Sequence, residues 1–288
     1  MAAIVFALLS AALYGSADFL GGLASRRSSV MPVMIFSQLA GLVMLLLVLP
    51  FLPAASATGA DFAWGAVAGA ALGIGLMLLY QGLATGKMSV VAPLTAVLAV
   101  VESAVAGMVI GDRLSVSAFA GVALAMMAIT LISQDGTREK ANAGCGTAPG
   151  LAAALSAGVL IGVFFAALKQ TSPASGLLPL VSARLAALVA LGAVALWRRP
   201  PWRIGRDLVW LIVAGGALDI FANVLYLLAT REGMLTIAAT LTSLYPASTI
   251  LLARLVLGER LRRIQIVGLA CAGLGVVLLG AARLPSTR

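Results

Sequence analysis

Ten runs of about twenty mostly apolar residues follow one another along this 288-residue chain, at 2–22, 30–50, 62–83, 88–110, 115–133, 149–168, 176–196, 208–229, 234–257 and 263–282. A helix needs roughly that length to cross the ~30 Å hydrocarbon core of a bilayer. In lipid the backbone must satisfy its own hydrogen bonds, so a spanning segment is a helix or part of a closed barrel. Barrel strands alternate apolar and polar residues, whereas these runs are continuous. The chain is 62% hydrophobic and 10% charged, against about 25% charged in a soluble domain. The expected fold class is all-α, a polytopic membrane protein of ten transmembrane helices.

A shift of 147 residues lays the second half of the chain on the first. Gly111-Asp112-Arg113-Leu114 falls on Gly258-Glu259-Arg260-Leu261, and Leu94-Thr95 on Leu241-Thr242. Gly15 falls on Gly162, Pro32 on Pro179, Gly86 on Gly233 and Gly121 on Gly268. Residues 86–132 and 233–279 align without a gap, with 13 identities in 47 positions. Apolar composition inflates identity, but a turn with Gly, an acid, Arg and Leu in order does not come from composition. Five spans per copy is odd, so the second copy enters the membrane from the opposite side. The expectation is two inverted five-helix repeats, an arrangement that places a binding site near the midplane and permits alternating access. The domain reading is a first unit at 1–134, a linker at 135–148, a second unit at 149–282 and a tail at 283–288. The linker rests on the polar stretch from Ser133 to Pro149, the longest in the chain.

The formal charge of +9 does not point to nucleic acid, because the basic residues are spread over short loops rather than gathered in a patch. Loops after odd-numbered spans carry twelve Lys and Arg; loops after even-numbered spans, with the C-terminal tail, carry five. That bias places the odd loops in the cytoplasm and both termini outside. There is no histidine, which removes histidine proton relays, Ser-His hydrolysis and histidine metal ligands. Cys145 and Cys271 suggest neither a disulfide framework nor a metal site. The first run lacks a basic flank and a clear cleavage site, so a retained span is expected rather than a signal peptide. No G-x-x-x-x-G-K-[ST] loop is present, which speaks against direct ATP hydrolysis.

An ionisable group inside a span is costly and is a functional candidate by default. The spans hold three carboxylates, Asp18, Glu102 and Asp219, and one deeply placed cation, Arg184. Asn223 and Tyr226 follow Asp219 at i+4 and i+7 and share its helix face, a pattern suited to binding an amine or a proton, or to interhelical hydrogen bonding. Thr95 and Glu102 share a face of span four, and the 147-residue shift maps Thr95, Leu98 and Glu102 onto Thr242, Tyr245 and Thr249. Equivalent faces of an inverted repeat meet at the shared axis, so these residues are expected to line a central cavity; the alternative is threonines bonded to their own helix carbonyls. Arg184 suits bidentate capture of a substrate carboxylate or a permanent pairing with Asp219 or Glu102. Asp18, with Tyr14 one turn earlier, suits a proton site or an interfacial ion pair with Arg26 and Arg27. The candidates for proton coupling are thus Asp18, Glu102 and Asp219. Pro93 and Pro246 are expected to kink spans four and nine.

The two Gly-acid-Arg-Leu turns, Leu244-Tyr245-Pro246 and Leu257-Gly258-Glu259-Arg260 give the chain its family likeness. With these it resembles the drug/metabolite transporter superfamily, in particular its ten-helix EamA-type members. Arg184, five residues after Pro179, matches an arginine often seen in the second helix of each repeat; the first repeat departs from this, with Ser37 at the equivalent position and Gln38 beside it. The resemblance implies export of amino acids, metabolites or drugs across the cell (inner) membrane, and both termini in the cytoplasm, against the charge bias. It also implies a proton role for a first-helix carboxylate, as in the small multidrug members, which would fall on Asp18. The function expected is secondary transport, with a small-molecule substrate and the lipid bilayer as partners and no cofactor, metal, nucleic acid or catalytic residue. Two alternatives are an intramembrane aspartyl enzyme built on Asp18 and Asp219, and a non-transporting scaffold or sensor. The oligomeric state is not expressed in the sequence.

Overall fold

The computed structural model describes the backbone of residues 2–25, 27–85, 88–112, 115–132, 148–202, 204–257 and 263–281, without side chains at 80–94, 132, 148–151, 154, 250, 253, 254, 257, 280 and 281. Cys145, residues 135–147 of the linker, the turn at 258–261 and the tail at 283–288 lie outside the described residues. The elements are helical: α1 (Ala2–Ser25), α2 (Val30–Val48), α3 (Gly59–Thr85), α4 (Met88–Ile110), α5 (Val116–Ile132), α6 (Ala148–Lys169), α7 (Leu178–Arg198), α8 (Val209–Glu232), α9 (Leu235–Thr242), α10 (Tyr245–Leu257) and α11 (Arg263–Ala281). Short 3-10 turns at Leu49–Phe51, Pro173–Ser175 and Arg206–Leu208 join some of them.

Among the described residues, five helices are long and apolar enough to cross a membrane: Ala2–Ser25, Val30–Phe51, Gly59–Leu79, Leu178–Arg198 and Arg206–Glu232. Thr95–Ile110, Val116–Leu131, Leu155–Lys169 and Arg263–Leu279 are apolar and shorter. Large apolar side chains cover the outside, with Val109 83% exposed, Leu196 81% and Val116 89%. Such a surface suits hydrocarbon and not water.

The ninth expected span is not one helix. It is broken between Thr242 and Tyr245 into the wholly buried α9 and the longer α10. Pro246 explains the break. It has no N–H to offer the Thr242 carbonyl, and its fixed φ suits the first turn of a helix, where it stands in α10. Pro93, further inside α4, leaves that helix unbroken.

The packing pairs helices of the two halves. α1 lies on α8, and α6 on α3; α1 touches α9 and α10, and α6 touches α4; α2 lies on α8, and α7 on α3. Three further pairs, α2 with α7, α4 with α9, and α5 with α11, join equivalent helices. Exchange of the halves turns the earlier pairings into one another and each of these three into itself, with α9 and α10 together the counterpart of α4. Small residues set the closest approaches. A Cβ on Gly69 of α3 would collide with the Ala183 backbone of α7, and one on Gly216 of α8 with the Ser37 carbonyl of α2. In lipid, such close packing drives helix association.

Candidate functional site

Arg184 joins three helices. From α7 its guanidinium donates to Gln38 Oε1 on α2 and to Asp219 Oδ2 on α8. The Arg184 side chain is 4% exposed and that of Asp219 17%, so the pair is largely desolvated and both charges are compensated. Gly41, one turn beyond Gln38, leaves room for the guanidinium: a Cβ there would lie 3.4 Å from Arg184 Cζ and 3.0 Å from the Gly216 carbonyl oxygen. The Asn223 side-chain amide donates to the Asp219 backbone carbonyl at 2.7 Å.

A small cleft opens beside this pair. It is lined by Asp18 and Ser25 of α1, Ser37 and Gln38 of α2, Leu76 of α3 and Asp219 of α8, with a volume of about 50 Å³. That holds a few water molecules. Asp18 and Asp219 therefore face one space, and among the described residues Asp219 is the one of the two with a cation on it. Tyr14, one turn before Asp18, buries its hydroxyl without a hydrogen-bond partner.

The other expected site residues lie elsewhere. Tyr226 shares the helix face of Asp219 but is fully buried, its ring against Phe164 and Phe165 and its hydroxyl donating to the Phe165 carbonyl at 2.9 Å. Thr242, Ser248 and Thr249 donate to the carbonyls of Ala7, Ala11 and Gly15, one stripe of α1, at 3.5, 3.0 and 3.0 Å. Tyr245 lies in the same interface, its carbonyl against Gly15. Thr95 is buried in α4, its carbonyl against Gly158 of α6, and Glu102 lies over Gly162 with Oε2 buried and unpartnered. Gly162 is the repeat partner of Gly15 and Glu102 that of Thr249, so the two interfaces correspond position by position. None of Tyr226, Thr95, Glu102, Thr242 or Tyr245 lines the cleft. In α10 the polar face that suggested a cavity is taken up by α1 carbonyls.

Residues 148–281, from the start of α6 to the end of α11, match the EamA-like transporter family. The match spans 134 of the 288 residues, and the likeness to the family rests on this second part of the chain.

The apolar helices and this likeness together indicate a multi-pass membrane protein. A solved crystal structure is similar over 96% of this chain and 95% of that one, with a TM-score of 0.74 at 13% identity; at that identity the likeness speaks for the fold alone. No curated protein matches the sequence. Gln38 and the glycines that admit Arg184 are not among the site residues expected from the sequence. Gln38 did leave a signal, being the lone amide of span two, beside the position equivalent to Arg184.

Proposed function

We propose that this EamA-like protein is a secondary transporter that exports a small metabolite, amino acid or drug-like compound by alternating access across the cell (inner) membrane. The observation that carries this reading is the cleft shared by Asp18 and Asp219, with Arg184 compensating one of the two carboxylates. The remaining carboxylate provides a place for a proton or for a cationic group of the substrate. Ten spans in two inverted units, 1–134 and 149–282, are part of the proposal; the exchange symmetry of the helix contacts and the 147-residue shift support it. Asp18 and Asp219 are the proposed coupling residues at the cleft, and Glu102, held against α6, is a separate candidate.

An aspartyl enzyme requires two carboxylates sharing a proton. Here Asp219 is committed to Arg184, so transport is the better reading of the same pair. The test is flux in proteoliposomes, with amine-bearing, zwitterionic and anionic compounds offered in turn. Asp18→Asn and Asp219→Asn, each inserted and folded, are expected to lower flux at least ~10-fold, the range of a lost site contact. Unchanged flux in both variants would remove the cleft from the mechanism.

A further inference from the structure

The cleft opens at the face formed by the end of α1 and the start of α2 and α8. The opposite face, where α4, α6 and α8 end and α3, α7 and α9 begin, is tied together by four charged side chains. Lys169 Nζ, at the end of α6, donates to the Thr230 and Gly233 carbonyls at the end of α8, the second at 2.7 Å. Arg231 donates to the Ser172 and Gly176 carbonyls and to Ser175 Oγ, at 3.1, 2.8 and 3.1 Å, binding α8 to the α6–α7 connection. Asp61 of α3 accepts from the Ser172 N–H at 2.6 Å and its hydroxyl at 3.3 Å, and also from Thr58. Asp112, after α4, accepts from the N–H and hydroxyl of Thr236 at 2.9 and 3.0 Å, at the N-terminus of α9, where a helix favours negative charge. Between this layer and the cleft, Tyr226, Phe164 and Phe165 fill the interior.

The two halves do not share this set equally. The 147-residue shift gives Asp112 an acidic counterpart, Glu259, and Thr236 a hydroxyl counterpart, Ser89. Asp61, Lys169 and Arg231 fall on Leu208, Gly22 and Ala84. In an inverted pair, whatever one repeat supplies at one face the other supplies at the opposite face. At these equivalent positions the other end of the molecule carries apolar or absent side chains; the ion pair described there, Arg27 with Asp207 at 3.9 Å, has both side chains about two-thirds exposed, and so exposed a pair contributes little.

We infer that Asp61, Lys169 and Arg231 form a one-sided latch that holds the face of α4, α6 and α8 ends shut and biases the empty protein toward the state with the Asp18–Asp219 cleft open. This rests on the alternating-access reading. Removal of one tie shifts the balance toward the opposite-facing state, since a two-state equilibrium moves by the difference in stabilisation of its two ends.

Two single cysteines report on it, in a background with Cys145 and Cys271 replaced and labelled with a membrane-impermeant thiol reagent. Ser37→Cys reads the cleft. Thr230→Cys reads the closed side, because Thr230 is fully buried and shares the helix face of Asp219. With the latch intact, position 37 is expected to label and position 230 to stay inert. In Lys169→Met or Arg231→Met, labelling at 230 should rise about tenfold and labelling at 37 should fall, the scale of one charge-assisted contact. Lys169→Arg should restore the original pattern. Asp61→Asn, nearly isosteric, repeats the test should a methionine variant fail to insert. Position 230 inert in every inserted variant, with flux intact, overturns the latch and leaves transport standing. Absence of flux in the unaltered protein, for every compound offered, is the separate outcome that counts against the transport reading itself.

Discussion

Arg184 Nη2 lies 2.5 Å from Asp219 Oδ2, and the same guanidinium reaches Gln38 on a third helix. One side chain from the second half thereby neutralises a carboxylate of its own half and satisfies an amide of the first. An unpaired charge left in this desolvated place is far more costly than the pair is stabilising.

Arg184→Met is accordingly expected to destabilise the protein by about 3–5 kcal/mol, read as thermal unfolding in detergent. Arg184→Met with Asp219→Leu, which removes both charges, should recover a large part of that loss. A double variant as unstable as the sum of its singles would show that the two residues do not act together.

The glycines divide into two groups. Gly69→Ala places a methyl on the Ala183 backbone, which cannot move aside, and a loss of about 1–3 kcal/mol is expected. Gly273→Ala meets nothing within 4 Å and should be neutral or gain up to ~1 kcal/mol through helix propensity. Unfolding temperatures of the pair decide it; equal effects would contradict the described packing of α3 on α7.

Glu102→Thr installs the residue that the other repeat carries at the corresponding position, Thr249. Thr249 donates to the Gly15 carbonyl at 3.0 Å, whereas Glu102 leaves a buried oxygen unpartnered. The variant is expected to gain roughly 1 kcal/mol in stability. Flux through the same variant separates packing from proton coupling: unaltered flux assigns Glu102 to the α4–α6 interface.

The basic residues bear on orientation. The twelve-to-five excess of Lys and Arg in loops after odd-numbered spans leads to a C-terminus outside the cytoplasm. A C-terminal alkaline phosphatase fusion is expected to be active. Activity only of a cytoplasmic reporter would reverse the assignment, and with it the side to which the cleft opens.

The helices were legible in the sequence because hydrocarbon imposes a length and an unbroken apolar run on each. Their observed ends fall within about three residues of the expected ones. Span nine was less legible: Pro246 was visible as a kink, but a full break depends on α9 being buried and braced by Asp112. The charged residues of the cleft also stood out, since Asp18, Asp219 and Arg184 are rare inside spans. The hydroxyls of Thr242 and Thr249 misled, because helical periodicity gives the face of a residue and not what covers it. Here α1, distant in sequence, presents backbone carbonyls to that face. Lys169 and Arg231 looked like ordinary loop cations counted toward topology; only the meeting of the ends of α6 and α8 gives them partners.

The uneven charge of the two halves has a kinetic consequence. A carrier cannot choose the direction of net movement, which the gradients of substrate and coupling ion dictate. The latch instead decides where the empty carrier waits, and so which side finds it ready. Substrate arriving at the cleft side would half-saturate transport at a lower concentration than substrate arriving from behind Lys169 and Arg231. The same protein, reconstituted in the two opposite orientations, would then show two different saturation curves around one and the same equilibrium.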